Sequence, residues 1–418
     1  MLFQRKADPY RLFLFMGAWW ALASSTVFTI LSIYYVQEVG MSPIQLVLVG
    51  TTLELAYFSF EVPTGVVADM VSRRLSVILA YFLLGLGIII EGLVPVFSII
   101  LVAEVIRAIG HTFESGALHA WLADEIGSER IGTAMLRSGQ ISQLTGFVGI
   151  ALGVGLATID LRLPIVLAGV MLIGLGVLLA FIMPETGFTP EPREDSEPFF
   201  RSFARSIRAS ALVARGSAIV VMFFVVEIFL GSFSEGLDRL WEAHFLQNFA
   251  FPTFGALEPV IWFGIINAGS GVLTIILAEY VRRRVDMTNH KQMAQVLLLS
   301  NVIVFGGMLL FGLSRGFMLA VGAYWLIRLS RSVGYPLMSA WLNQSIPSKN
   351  RATVLSMVGQ GNALGQIAGG PAVGWIGTVR SLRAAMVVSG FLLTPAIAMF
   401  ARASVKASKE QDVELVKS

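Results

Sequence analysis

Gly65-Val66-Val67-Ala68-Asp69-Met70-Val71-Ser72-Arg73-Arg74 is a short charged turn between two long apolar stretches, residues 44–68 and 75–95. Crossing about 30 Å of hydrocarbon at 1.5 Å per residue takes roughly 20 apolar residues, and each flank is long enough. The same alternation of apolar stretch and short charged turn continues outward along the chain. Membrane helices are expected at 12–37, 44–68, 75–95, 97–122, 132–158 and 162–183, then at 216–246, 258–281, 291–313, 316–343, 352–378 and 383–404. One long polar stretch, rich in Arg, Glu and Pro, separates the sixth from the seventh. The expected division is a six-helix bundle over 1–183, a cytoplasmic linker over 184–215, a second six-helix bundle over 216–404 and a cytoplasmic tail over 405–418.

Composition agrees. The 418 residues are 56% hydrophobic and 14% charged, too little charge to cover a soluble protein of this size. The net charge of +3 is small and gives no reason to expect a nucleic-acid partner. The absence of cysteine excludes disulfides, thiolate chemistry and Cys-based metal sites. No Lys follows a Gly, so there is no P-loop, and none of the four histidines begins a His-Glu-x-x-His site. The expectation is therefore a protein that is not an enzyme, with no cofactor and no metal. Arg5, Lys6 and Arg11 lead into an apolar stretch too long for a signal-peptide core, which reads as an uncleaved first helix. If the N-terminus is cytoplasmic, 22 of the 30 Lys and Arg residues fall on that side and four on the other. That bias puts both termini in the cytoplasm.

The halves repeat one another. At a constant offset, Ala120-Trp121-Leu122 recurs as Ala340-Trp341-Leu342, Gly139-Gln140 as Gly359-Gln360, Thr133 as Thr353 and Gly149 as Gly369. A degenerate copy of the opening turn, Ala278-Glu279-Tyr280-Val281-Arg282-Arg283-Arg284, follows the eighth span. The loop, its copy and the helix count together resemble the major facilitator superfamily over essentially the whole chain. Met70 and Ser72 depart from the usual motif, which has a basic residue and Gly there. The resemblance implies an all-α membrane protein with two pseudo-symmetric six-helix bundles around a central cavity. It also implies alternating-access transport of a small molecule, and a cytoplasmic gate formed by Gly65, Asp69, Arg73, Arg74 and Asp124 with the second-half set Glu279, Arg283 and Arg284. In that gate Asp69 lies near the start of the eleventh helix, and Arg73 and Arg74 pair with Asp124.

Charge inside the spans marks candidate sites, since an ionisable group there needs protein or water around it. Glu104, Arg107, His111 and Glu114 are spaced three, four and three, which places them on one face of the fourth helix. That face must line a cavity or pack on another polar helix. His111 has the near-neutral titration suited to proton handling. Glu54 lies deep in the second span, whereas Glu91, near the outer end of the third, reads as exposed to water. The seventh span carries Glu235, Asp238 and Arg239, and the tenth carries Arg328 and Arg331. Glu235 and Asp238 are the expected partners of those two arginines. Glycines 139, 146, 149, 153 and 155 in the fifth span, and 365, 369, 370 and 374 in the eleventh, read as sites of close helix packing.

The function expected is proton-coupled efflux of small cationic or zwitterionic amphiphiles by a monomer in a bacterial cytoplasmic membrane. Uptake or facilitated diffusion of a nutrient is the alternative, and a non-transporting sensor a remote one.

Overall fold

The computed structural model describes residues 6–189, 217–252, 259–346 and 351–417. Most of the expected linker, 190–215, lies outside the described residues. Among the described residues every regular element is α-helix: α1 (Pro9–Phe28), α2 (Leu31–Gln37), α3 (Pro43–Met70), α4 (Arg73–Leu93), α5 (Phe97–Ser115), α6 (Ala117–Ile126), α7 (Ser128–Ala157), α8 (Arg162–Ile182), α9 (Ala218–Asn248), α10 (Pro259–Arg284), α11 (His290–Leu313), α12 (Phe317–Ser345), α13 (Arg351–Val379), α14 (Leu382–Phe391) and α15 (Thr394–Lys417). Taking α1 with α2, α5 with α6 and α14 with α15 as broken spans, these make the twelve expected crossings.

Nine of the crossings among the described residues are long and apolar enough to span a membrane by length and composition. The other three are α5 with α6, α12 and α13. The first two carry the polar stripes of the fourth and tenth spans. No break marks the expected tail at 405, because α15 runs on to Lys417. Lys, Glu, Gln and Leu in that stretch have good helix propensity.

Helix starts follow local chemistry. Asp8 caps α1 by accepting the Arg11 N–H at 2.9 Å, with Pro9 at the first position. Asn289 and Ser381 cap α11 and α14 in the same way. Gly127 joins α6 to α7 with φ +82°, a left-handed conformation suited to glycine.

The chain forms two compact units: Met1–Met41, Thr52–Phe199 and Ala256–Ile265 in the first, and Ser42–Thr51, Phe200–Gly255 and Ile266–Ser418 in the second. In the first, α1 packs on α7, and α4 packs on both α5 and α8. In the second, α9 packs on α13, and α11 packs on α12, α14 and α15. By span number these are one set of pairings used twice, which is the duplication expressed as packing. Small residues allow the closest approaches. A Cβ on Gly149 or Gly153 would lie 2.5 Å from the carbonyls of Leu22 or Thr26. Thr26 donates to the Gly149 carbonyl at 3.2 Å, and Ser232 donates to the Gly365 carbonyl at 3.0 Å. Gly370 and Gly374 lie against Val47, in the part of α3 that belongs to the second unit. Gly139 and Gly155 have open space beside them and are not packing sites.

Candidate functional site

In the first unit, the turn between α3 and α4 is built around Ser72. Its extended backbone makes it the N-cap of α4, and its Oγ accepts the Leu75 N–H at 2.9 Å. The same hydroxyl donates to Glu185 at 2.8 Å, and Glu185 accepts the Arg74 N–H at 2.9 Å. A carboxylate thus satisfies a free N–H at a helix start, where the macrodipole favours negative charge. The family's usual Gly could not supply the hydroxyl.

Arg73 pairs with Asp124, as expected, and donates to the Ala120 carbonyl at 3.1 Å. The expected Arg74–Asp124 pair does not form; Arg74 donates to the Ala180 carbonyl at 2.5 Å. Successive residues point about 100° apart around a helix, so the two guanidiniums diverge. Asp69 is 59% exposed and 4.0 Å from Arg73. Gly65 is half-buried with open space beside it. In the second copy, Glu279 binds Arg282 at 2.8 Å and Arg283 at 2.5 Å within one exposed helix end, and Arg284 lies over the Tyr280 ring at 6.0 Å. These are local surface pairs, weak on their own.

The segment after α8 is held on the same end of this unit. Trp121 donates to the Pro184 carbonyl at 2.7 Å, and Glu125 accepts from the Thr186 hydroxyl at 2.7 Å and the Gly187 N–H at 2.9 Å. Burial pushes the Glu125 carboxyl upward, but these N–H and O–H donors outweigh it and hold the group below the usual carboxylate range.

The fourth-span stripe divides in two. Glu104 and Arg107 are interior residues of the unit, with Arg107 only 3% exposed, so at these two positions the face packs on another helix rather than lining a cavity. Arg107 reaches Glu91 at 3.0 Å and Glu104 at 3.2 Å. Glu91 is fully buried, which corrects its reading as a water-exposed group; Tyr35 donates to its carboxylate at 3.0 Å. A Cβ on Gly87 would lie 2.7 Å from the Arg107 side chain, so this glycine lets α4 approach and sets Glu91 within reach. The signal available in the sequence was that Arg107 needed acidic partners and that Glu91 is the single acid in α4. His111 and Glu114 are only half-buried. His111 meets the Trp20 ring edge-on at 5.7 Å, and Tyr81 donates to Glu114 at 3.4 Å. Glu54 is half-buried in α3.

The second unit contains a cavity of about 300 Å³ between α9, α11, α12 and α13. Asp238 and Arg331 lie on its wall in a bidentate pair at 2.7 and 2.9 Å, as expected, with Arg331 also 5.3 Å from the centre of the Phe233 ring. Such fork-on-fork geometry fixes both side chains. Glu235 instead binds Arg239 at 3.1 Å, one turn along its own helix, and both lie against Gly50. Arg328 is exposed and makes no ion pair among the described residues, although it lies one turn from Arg331 on α12. Further polar wall residues, among them Glu227, Asn301, Asn362 and Gln366, escaped the sequence reading. Glu227 is the lone acid in the apolar start of α9 and was discoverable on that ground alone.

The profile of the Major Facilitator Superfamily matches residues 13–330. The chain belongs to this superfamily. It is 23% identical over 378 residues to an uncharacterized MFS-type transporter of Bacillus subtilis (strain 168), YxaM, covering 89% of this chain and 90% of that one. Its fold is similar to the nucleoside transporter NupG (D323A mutant), with TM-score 0.77 and 13% identity over 95% of this chain and all of that one. It is also similar to a peptide transporter, POT, in complex with sulfate, with TM-score 0.73 and 15% identity over 96% of this chain and 95% of that one. As a superfamily member the protein is an integral membrane secondary transporter of small molecules, not an enzyme.

Proposed function

We propose that the protein couples proton entry to export of small amphiphilic solutes across a bacterial cytoplasmic membrane, as a monomer with both termini cytoplasmic. The cavity of the second unit carries this reading, since it sets a fixed ion pair, Asp238 with Arg331, beside the apolar residues Leu230, Phe233, Val304 and Met338. Mixed walls of that kind bind solutes with a polar end and an apolar body. Glu114 supports proton coupling: it has a Tyr81 hydrogen bond and no cation in ion-pair range among the described residues. Its charge is therefore cheaper to cancel by protonation than that of a paired acid. Glu54 and His111 complete the proposed proton path. The gate reading rests on Asp69, an exposed carboxylate at a helix end, available to a helix N-terminus in one state of the cycle.

Uptake of a small polar metabolite is the second reading, favoured by the amide side chains of Asn301, Asn362 and Gln366 on the same wall. Two similar structures are named as nucleoside and peptide transporters. Purified protein in liposomes with an imposed pH gradient separates the readings by direction. Export requires solute to move against the proton flux and uptake requires it to move with it. Solute flux indifferent to the gradient would remove proton coupling from both.

A further inference from the structure

Glu227 lies on α9 eleven residues before Asp238, about 16 Å along the helix. Asn362 donates from its Nδ2 to the Glu227 Oε2 at 2.6 Å, and Gln366 in turn donates to the Asn362 side-chain Oδ1 at 2.8 Å. The relay settles which way the Asn362 amide points and holds the carboxylate in place. Among the described residues no Lys, Arg or His lies within ion-pair range of Glu227, whereas Asp238 has Arg331 and Glu235 has Arg239. The carboxylate also lies on the walls of two cavities. One is the space of about 300 Å³ shared with Asp238 and Arg331; the other, about 320 Å³, runs on past Ser339, Leu342 and Leu355. Glu227, Tyr335, Met338 and Asn362 line both.

An ionised acid in a membrane span is tolerated when a cation or water reaches it. Here the protein supplies a hydrogen-bonded support but no cation, and leaves open space where one would come from. With the Asp238–Arg331 pair self-neutralised, the uncompensated charge on the wall is negative. We infer that Glu227 is the solute-selecting residue of this cavity and takes a protonated primary or secondary amine. The N–H donors of the amine would go to the carboxylate, and its apolar body would lie along Leu230 and Met338. This inference rests on the cavity being the solute site. An anion at this wall would meet Glu227 without compensation, and an alcohol of the same shape would leave it unpaired.

Matched ligands isolate the charge. Equilibrium binding of tritiated tryptamine to the full-length protein in detergent is measured in competition with tryptophol, which has a hydroxyl in place of the amine, and with indole-3-acetate. Phenethylamine and 2-phenylethanol give a second pair. The native protein should prefer each amine to its alcohol at least tenfold, about 1.4 kcal/mol, and should bind indole-3-acetate least. Glu227→Gln should bring amine and alcohol within about twofold of each other, while Glu227→Asp keeps the preference. Asn362→Ala should weaken amine binding less than Glu227→Gln does. The thermal unfolding midpoint of each variant shows that it is folded; if Glu227→Gln is not, the ligand pairs on native protein and Glu227→Asp decide. Equal native affinity for amine and alcohol, unchanged amine binding in folded Glu227→Gln, or no amine binding would each overturn the inference. Binding in detergent needs no flux, so equal affinity of the native protein for amine and alcohol alongside its gradient-driven transport of another solute would overturn this inference and leave the transport reading intact.

Discussion

Replacing Arg107 by Met would strand two carboxylates inside the first unit. Glu91 lies 3.0 Å and Glu104 3.2 Å from the same guanidinium nitrogen, and all three side chains are 3% exposed or less. Methionine retains much of the packing of the arginine stem, including contact near Phe28, whose ring centre lies 5.3 Å from the guanidinium. The perturbation is therefore mainly electrostatic. Removing one partner of a buried pair costs about 3–5 kcal/mol. Two acids lose their cation here, so the upper part of that range is expected, limited by proton uptake at one of them. At 1.4 kcal/mol per decade, the folding equilibrium should fall about a thousandfold. Adding Glu91→Gln and Glu104→Gln to Arg107→Met removes the stranded charge and should recover most of the loss. Unfolding in mixed detergent, followed by tryptophan fluorescence, measures both variants, with transport scaled to folded protein. Native-like stability of Arg107→Met would refute the interior placement. A stable triple variant without transport would return Arg107 to the solute path.

Three further outcomes follow from particular residues. The Glu125 carboxyl is held below its unfolded value of about 4.3, so its docking of Thr186 and Gly187 is present above that pH and is lost as pH falls through the lowered folded value. Proteolysis near Gly187 should accelerate in the native protein as pH falls below the usual carboxylate range and be fast throughout in Glu125→Gln; native-like protection in Glu125→Gln at neutral pH would contradict this. Asp69→Asn should reach the membrane normally yet lose transport severely, and unchanged transport at equal expression would take Asp69 out of the gate. The Glu54→Gln, Glu114→Gln double variant should lose pH-gradient-driven transport but keep solute exchange, while His111→Ala shifts the pH optimum. Full gradient-driven transport in the double variant would move coupling to other acids.

Hydropathy and charge, both properties of the chain in one dimension, were enough to read the twelve crossings, and the residue repeat and the charged-turn motif were enough for their duplication and the resemblance to the superfamily. Every crossing must satisfy its backbone internally and face hydrocarbon, so its length and composition are constrained wherever it packs. The Arg331–Asp238 pair was legible for a related reason: each is a costly charge in a span, and few candidates existed to balance it. The Glu104-to-Glu114 spacing likewise placed four residues on one side of a helix. What lay opposite that side was decided by tertiary structure. Gly87 brings α4 close enough for Glu91 to capture Arg107, which turns the N-terminal half of the stripe into an interior ion cluster. His111 and Glu114, nearer the other end of the helix, stay half-buried. Only the fold, too, sets Glu227 beside Asn362, 135 residues away, with a cavity before them and no cation. Periodicity records which residues share a face of one helix. Which face of which other helix meets it depends on close approaches made by glycines, and those are properties of the packed chain.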